Sequence, residues 1–429
     1  MSILPSPTGL QSRRCVIIQL SLMASSTSFP PGPPPVIRPP SAEKVTLRVK
    51  VDRSRCKGTD PGIEKRLKKL EKDGLTISIA QIVGNANLHF AGAVKDEGEG
   101  VKNAQIRAAW SELRHLNMRA ESEGDGKDRR RTLRVDKSKN SRETARRSEV
   151  LAMGTSLQIG IVVFNRPYRF WSVTPGLKRY DLSAKDPQGK ELKIEARGRI
   201  DGSNVKKAVG QIHKKFTKGD FSKAIGVIVF PRTKEGGKED IIVVDPDGIA
   251  ETRASDAQFR DLLLHYVPLF TVQGGRIAAF GRRLKELADS PAQDFANYLL
   301  NGDAVLSSPT VRRGRSGFNW KGTRYVGTFF EDVAWPDWLT GMETPSNGGV
   351  FFWGLASQAL DGFQTGHVAD LNPPNEEAIV EVRGDIFSIE MPDWSVLVWG
   401  ATLRDLENSE DNEVKTEMAQ LSPSKPVDE

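Results

Sequence analysis

Residues 191–197 alternate so that Leu192, Ile194 and Ala196 fall on one face of an extended strand and Glu191, Lys193, Glu195 and Arg197 on the other. Residues 179–184, which contain Asp181, predict a second strand just upstream. Downstream of a loop over 198–204, Val205, Ala208, Val209, Ile212 and Phe216 recur at helical spacing with basic residues opposite, the pattern of an amphipathic helix. The aliphatic run 224–230 then reads as a buried strand. Ahead of Asp181, residues 141–153 predict a helix and 157–164 a separate apolar stretch. The local order is helix, strands, helix, buried strand.

The flanks carry weaker patterns. Residues 45–51 alternate as a strand, and Asp60 before Pro61 predicts a capped, lysine-rich helix. Strands are expected near 75–83 and 86–93, and a helix near 101–118. Two helical stripes follow the central region, one of Phe259, Leu262, Leu263, Tyr266 and Val267, the other of Ile277, Phe280, Leu284 and Leu287, and both read as core. Between 310 and 400 the chain becomes glycine-rich and strand-like and holds six of the eight tryptophans. The expected organisation is a proline-rich disordered segment (1–41), a small α+β domain (42–120), a charged linker (121–140), a central core (141–250), a helical segment (251–305), a β-rich module (306–403) and a disordered acidic tail (404–429). The fold class is multidomain α/β, or α+β.

Charge narrows the partners. Across 429 residues, 62 Lys and Arg face 55 Asp and Glu, a net charge of +7. Ten of the basic residues crowd into 127–147 against three acids, and this run includes Arg129, Arg130 and Arg131. Such a run either engages backbone phosphates without reading sequence or is a linker kept soluble by charge. With two cysteines and five scattered histidines, neither a disulfide framework nor a zinc cluster is supported. No phosphate-binding glycine loop of the Walker type occurs. Arginines mixed with aromatics at 312–321 suit a single-strand platform, yet the tryptophans read better as core anchors. No stretch approaches 18 uninterrupted apolar residues, so no membrane partner is expected. The short apolar run 16–24 only faintly resembles a secretory signal, Met23 is favoured over Met1 as the start, and the expected location is cytoplasmic.

The carboxylates give the chemistry. Asp181 and Glu195 lie on adjacent predicted strands, where two hard oxygen ligands can share one divalent cation. Over about residues 141–245 the pattern resembles the PD-(D/E)xK nuclease superfamily, with Asp181 as the Asp, Glu195 as the Glu and Arg197 in the place of the lysine. Gln211 matches a glutamine of the following helix, and Glu149 an acid of the preceding one. The resemblance implies a restriction-endonuclease-like mixed sheet flanked by helices. It also implies Mg²⁺ or Mn²⁺ held by Asp181 and Glu195, and hydrolysis of phosphodiester bonds in DNA, in defence or DNA processing. Arg197 cannot act as a base, since guanidinium stays charged; Lys193, on the same strand face, is the candidate substitute. Arg129, Arg130, Arg131, Lys206 and Lys207 are the candidate nucleic-acid contacts. Three alternatives stand beside this reading: a degenerate nuclease fold that binds without cutting, a protein-interaction scaffold, and a solvated sheet face on which Asp181 and Glu195 merely pair with Arg179 and Lys193.

Overall fold

The alternating run near the N-terminus does not form one strand. Val45, Leu47, Val49 and Val51 are all buried, but the chain changes sheet at Arg48. β1 (Lys44–Leu47) pairs antiparallel with β3 (Leu75–Ser78), while β2 (Val49–Asp52) pairs parallel with β10 (Ile241–Val244). The break is held by Asp240: its Oδ2 accepts from the Arg48 amide at 2.7 Å, and its own amide donates to the Arg48 carbonyl at 3.0 Å. Helix α1 (Pro61–Asp73) starts as its cap predicts, with Asp60 Oδ1 accepting from the Gly62 amide at 2.8 Å. Its buried residues are Ile63, Leu67 and Leu70, and Glu71 accepts from the Val51 amide of the edge strand β2 at 3.0 Å.

The computed structural model describes residues 42–54, 60–94, 104–106, 118–123, 130–135, 141–173, 181–185, 191–199, 205–217, 224–230, 240–244, 256–273, 275–303, 316–333, 336, 349–368, 376–383 and 386–400. All lie in the compact unit Ile37–Glu429. The expected disordered segments 1–41 and 404–429, most of the helix near 101–118, most of the loop 198–204 and the arginine–aromatic stretch up to 315 lie outside these residues.

Three local expectations are corrected. The strand expected at 86–93, and the end of the one at 75–83, belong to helix α2 (Ile79–Ala93). Ser78 Oγ caps it by accepting from the Gln81 amide at 3.0 Å, and every residue from Ile79 to Leu88 is buried, so no polar side marks the helix in the sequence. The apolar stretch 157–164 is not separate from the helix before it: α3 runs unbroken from Ser141 to Phe164. Its second half is packed on both sides, with Gly154 against the Ile82 carbonyl and Gly160 against Ile194 and Trp171. The segment expected as a linker contributes two strands, β4 (Met118–Glu123) and β5 (Arg130–Val135), paired antiparallel. Met118, Leu133 and Val135 anchor this hairpin in the core.

The central sheet has the order β2-β10-β9-β8-β7-β6. Here β6 is Ser172–Val173, β7 Leu182–Lys185, β8 Glu191–Gly198 and β9 Ala224–Val229. β6, β7 and β8 run antiparallel in succession, and β9 is parallel to β8. The crossover between β8 and β9 is helix α4 (Val205–Thr217). On one face Leu192, Ile194 and Ala196 share a core with Leu151 and Leu157 of α3; on the other, Ile228, Ile242 and Val244 pack against Ala208 and Ile212 of α4.

Helices α5 (Asp256–Thr271), α6 (Gly275–Asp289) and α7 (Ala292–Asn301) follow. Both expected stripes face the core, with Leu262, Leu263, Tyr266, Ile277, Phe280, Leu284 and Leu287 buried and Phe259 and Val267 packed partly buried against it. A second six-stranded sheet, antiparallel throughout, is built from β11 (Ser316–Trp320), β12 (Thr323–Val333), β13 (Gly349–Ala356), β14 (Ile379–Arg383), β15 (Ile386–Glu390) and β16 (Ser395–Gly400), in the order β11-β12-β13-β16-β15-β14. Helix α8 (Ser357–Thr365) follows β13. Trp320, Trp353 and Trp399 are buried in this sheet as core anchors. Among the described residues no helix is long and apolar enough to cross a membrane. The architecture is mixed α/β with two large sheets.

Candidate functional site

Asp181 sits immediately before β7, and its backbone extends the ladder: its amide donates to the Ile194 carbonyl at 3.1 Å. Its carboxylate accepts from the Ala196 amide through Oδ2 at 2.8 Å. Leu182 stands opposite Ile194, so the preceding residue, Asp181, comes beside Glu195. Period-two geometry turns Glu195 away from the α3 core and toward α4. There it is fully buried, at 0% exposure, yet its carboxylate touches two cations. The Arg197 guanidinium meets Oε1 from the same strand, and the Lys215 ammonium meets Oε2 from the last turn of α4.

Taking a carboxylate wholly out of water costs several kcal/mol unless charge partners replace the lost hydration. Arg197, 35% exposed, and Lys215, 23% exposed, are those partners, and each still reaches solvent. Burial, reinforced by the charge of Asp181, pushes the Glu195 carboxyl above its ordinary range, while Lys215 and Arg197 act in the opposite sense. Two carboxylates and two cations give the cluster a formal charge near zero. Its Oε1 atom, although in contact with Arg197, accepts no well-directed hydrogen bond.

The neighbouring end of β8 is held tightly against α3. A Cβ on Gly198 would lie 2.0 Å from the Ser148 carbonyl oxygen, so only glycine permits this approach. Arg199, the next residue, donates to the Gly198 carbonyl at 2.6 Å and to Gln211 Oε1 of α4 at 2.9 Å. Burial and the Arg197 charge lower the Arg199 guanidinium, and exposed Glu149 on α3 opposes them. His89 of α2 also feels the Asp181 charge, though burial dominates and lowers its imidazole; its Nδ1 has no hydrogen-bond partner.

The structure therefore gathers Asp181, Glu195, Arg197 and, one step out, Gln211 and Glu149. Lys193, the expected substitute for the motif lysine, turns instead to Glu191 at 2.5 Å. Arg179 lies outside the described residues, as does Arg129, and the Arg130 side chain is not described. Arg131 pairs with Glu43, and Arg134 with Glu121 at 2.5 Å. Lys206 and Lys207 are exposed on α4. The residues missed from sequence are Lys215, Arg199 and His89. Lys215 had one legible cue, its position four residues after Gln211 on the same side of the helix.

Among the described residues no group of three or more His, Cys, Asp or Glu side chains is placed to hold a metal ion. What is present is a pair of carboxylates, one with a buried oxygen that accepts no directed hydrogen bond. Carboxylate oxygens are the donor type that Mg²⁺ and Mn²⁺ take, one or two at a time with several waters, and here a cation would share Glu195 with Arg197 and Lys215. No protein-family model, curated protein or solved structure matches this chain.

Proposed function

We propose that the chain is a metal-dependent nuclease and that Asp181 and Glu195 hold its divalent cation. The observation that carries this reading is Glu195, fully buried beside a second carboxylate and flanked by two cations that still reach solvent. A purely structural residue at that strand position would be apolar, as Ile194 and Ala196 are on the other face. Support also comes from the order of elements: a helix, three antiparallel strands, a helix and a parallel strand, with Asp181 leading into the second strand and Glu195 in the third. The resemblance to the PD-(D/E)xK superfamily rests on a similar order read from the sequence: a helix, strands that carry the two carboxylates, a helix and a buried strand.

In the reaction a water oxygen forms a bond to phosphorus, one bridging P–O bond breaks, and the leaving oxygen takes a proton. When bound, Mg²⁺ supplies positive charge at the phosphate and makes a coordinated water more acidic. Arg197 remains a fixed cation that faces charge developing on the phosphoryl oxygens. Lys215, from the last turn of α4, holds the other oxygen of Glu195 and so fixes the carboxylate's orientation. Gln211 holds Arg199 and through it the rim of the site.

The test is conversion of supercoiled plasmid and of single-stranded DNA by the full chain with Mg²⁺, with Mn²⁺ and with EDTA. Cutting should need the metal and should fall by roughly 100-fold or more in Asp181→Asn, as expected for loss of a group acting on the transition state. Lys215→Ala should lose most activity while Lys193→Ala keeps it. Retained cutting in Asp181→Asn would remove the proposal. A second reading, a nuclease fold that binds without cutting, is favoured by the two cations already compensating Glu195; binding with no cleavage under any metal would select it.

A further inference from the structure

The solvent face of α4 carries cations that have no carboxylate partner among the described residues. Lys207 and Lys214 are seven residues apart, two helical turns, and so project in nearly the same direction about 10 Å from one another along the axis. Both are exposed, as is Lys206 on their flank, and among the described residues no carboxylate pairs with any of the three. The arginines of the β4–β5 hairpin contrast with this, since Arg131 and Arg134 are already engaged by Glu43 and Glu121.

Gly210 lies between Lys207 and Lys214 on that face. Among the described residues, a Cβ there would meet nothing within 4 Å. Four glycines inside other helices have a packing reason: a Cβ on Gly154 would strike the Ile82 carbonyl, on Gly160 the Ile194 side chain, on Gly84 Met391 and on Gly92 Val173. Among the described residues Gly210 has no such packing reason, although glycine weakens a helix interior relative to alanine. It leaves a bare patch of helix backbone between two lysines. One helical step to the side lie Gln211, bonded to Arg199, and Lys215, in contact with Glu195. The face thus borders the carboxylate cluster.

We infer that the solvent face of α4 seats the sugar–phosphate backbone of a nucleic acid, with Lys207 and Lys214 on phosphates to either side and Gly210 giving the strand close approach to the helix. The inference rests on reading the adjacent carboxylate pair as a phosphodiester site, and it goes further by naming where the polyanion runs. Lysines position a backbone without reading bases, and Gln211, the neutral polar side chain beside them, is bonded to Arg199; the contact is therefore sequence-independent. An anionic membrane fits this face less well, because the exposed residues at 206, 207, 210, 211 and 214 include no aromatic or large aliphatic side chain to insert between lipids.

The experiment is fluorescence anisotropy of labelled duplex and single-stranded oligonucleotides with the full chain in EDTA, so that binding is read without cleavage, over a series of NaCl concentrations. Three proteins are compared: wild type, Lys207→Gln/Lys214→Gln and Gly210→Ala. For two lost phosphate contacts, the slope of log affinity against log salt should become shallower by about 1.8 for duplex, with affinity at least roughly tenfold weaker near 0.1 M salt. Gly210→Ala should bind several-fold more weakly although its melting temperature is unchanged or raised, a combination that a structural role for Gly210 would not give. Unchanged affinity and slope in the double lysine variant would overturn the inference, as would binding to phosphatidylserine vesicles but to neither oligonucleotide. If wild type binds with the predicted lysine dependence yet never cuts with metal, the α4 interface stands and the nuclease reading fails. If it cuts but the lysine variant binds as wild type does, the reverse holds.

Discussion

The two six-stranded sheets differ in what their inner strands bury. In the C-terminal sheet, β13 and β16 are buried at every position, and their centre is aromatic: the Trp399 ring lies 4.9 Å from that of Phe351 and 5.4 Å from that of Phe387. In the central sheet, β8 spends one fully buried position on Glu195. Burying an aromatic ring stabilises a fold by itself, whereas burying a carboxylate does so only when paired, and an apolar residue would commonly serve as well or better. On the proposed reading, the cost of burying Glu195 points to the central sheet as the place of function, whereas the buried Asp393 beside the other sheet is taken up by His265, Tyr266 and Ser395.

The comparison can be broken most forcefully in the C-terminal sheet. Trp399→Ala should cost about 3–5 kcal/mol of stability by leaving a large cavity, read as a loss of cooperative thermal unfolding near the wild-type temperature. If function survives in the residual folded protein, the sheet is scaffold. Next comes Gly198→Ala, whose Cβ would collide with the Ser148 carbonyl and force β8 away from α3. A cost of about 1–3 kcal/mol is expected in denaturant titration, together with loss of activity, because the same movement displaces Arg197 and Arg199.

A finer test uses pH. Burial, then the charge of Asp181, raises the Glu195 carboxyl above its ordinary 4.5. The folded chain therefore holds that proton more tightly than the unfolded chain does, so this group's contribution to stability falls as pH rises from the ordinary value through the raised one. Metal affinity should rise over the same window, since coordination needs the carboxylate. In Glu195→Gln, the difference in stability from wild type should vary with pH in that window and level off on either side. A pH-independent difference would contradict the assignment. The smallest effect is expected for Arg131→Ala, under about 1 kcal/mol by thermal melting, because the guanidinium is exposed and its partner Glu43 is partly open to water.

Elements with one wet face were legible in the sequence. The alternation of 191–197, the amphipathic helix at Val205–Thr217 and the Asp60 cap each reflect a local rule that the fold obeys. What escaped was packed on all sides or depended on distant partners. α2 and the second half of α3 are enclosed by protein, which erases the polar positions that define a period. The hairpin β4–β5 was hidden because its anchors Leu133 and Val135 stand among arginines. The division of 45–51 between two sheets depends on Asp240, almost two hundred residues away. At the site, Asp181 and Glu195 were visible because strand pairing brings them together locally. Lys215 was not, because only the return of α4 across the sheet carries it to Glu195. The pairing of Lys193 with Glu191, two residues away on the same face, was not foreseen either.

The most direct test of the central claim is Mg²⁺-dependent nicking of supercoiled plasmid by wild type and Glu195→Gln at matched folded concentration. The account predicts cutting by wild type that EDTA abolishes and that the glutamine variant lacks, with both proteins folded by circular dichroism. Equal cutting by the two, or cutting that persists in EDTA, would contradict it.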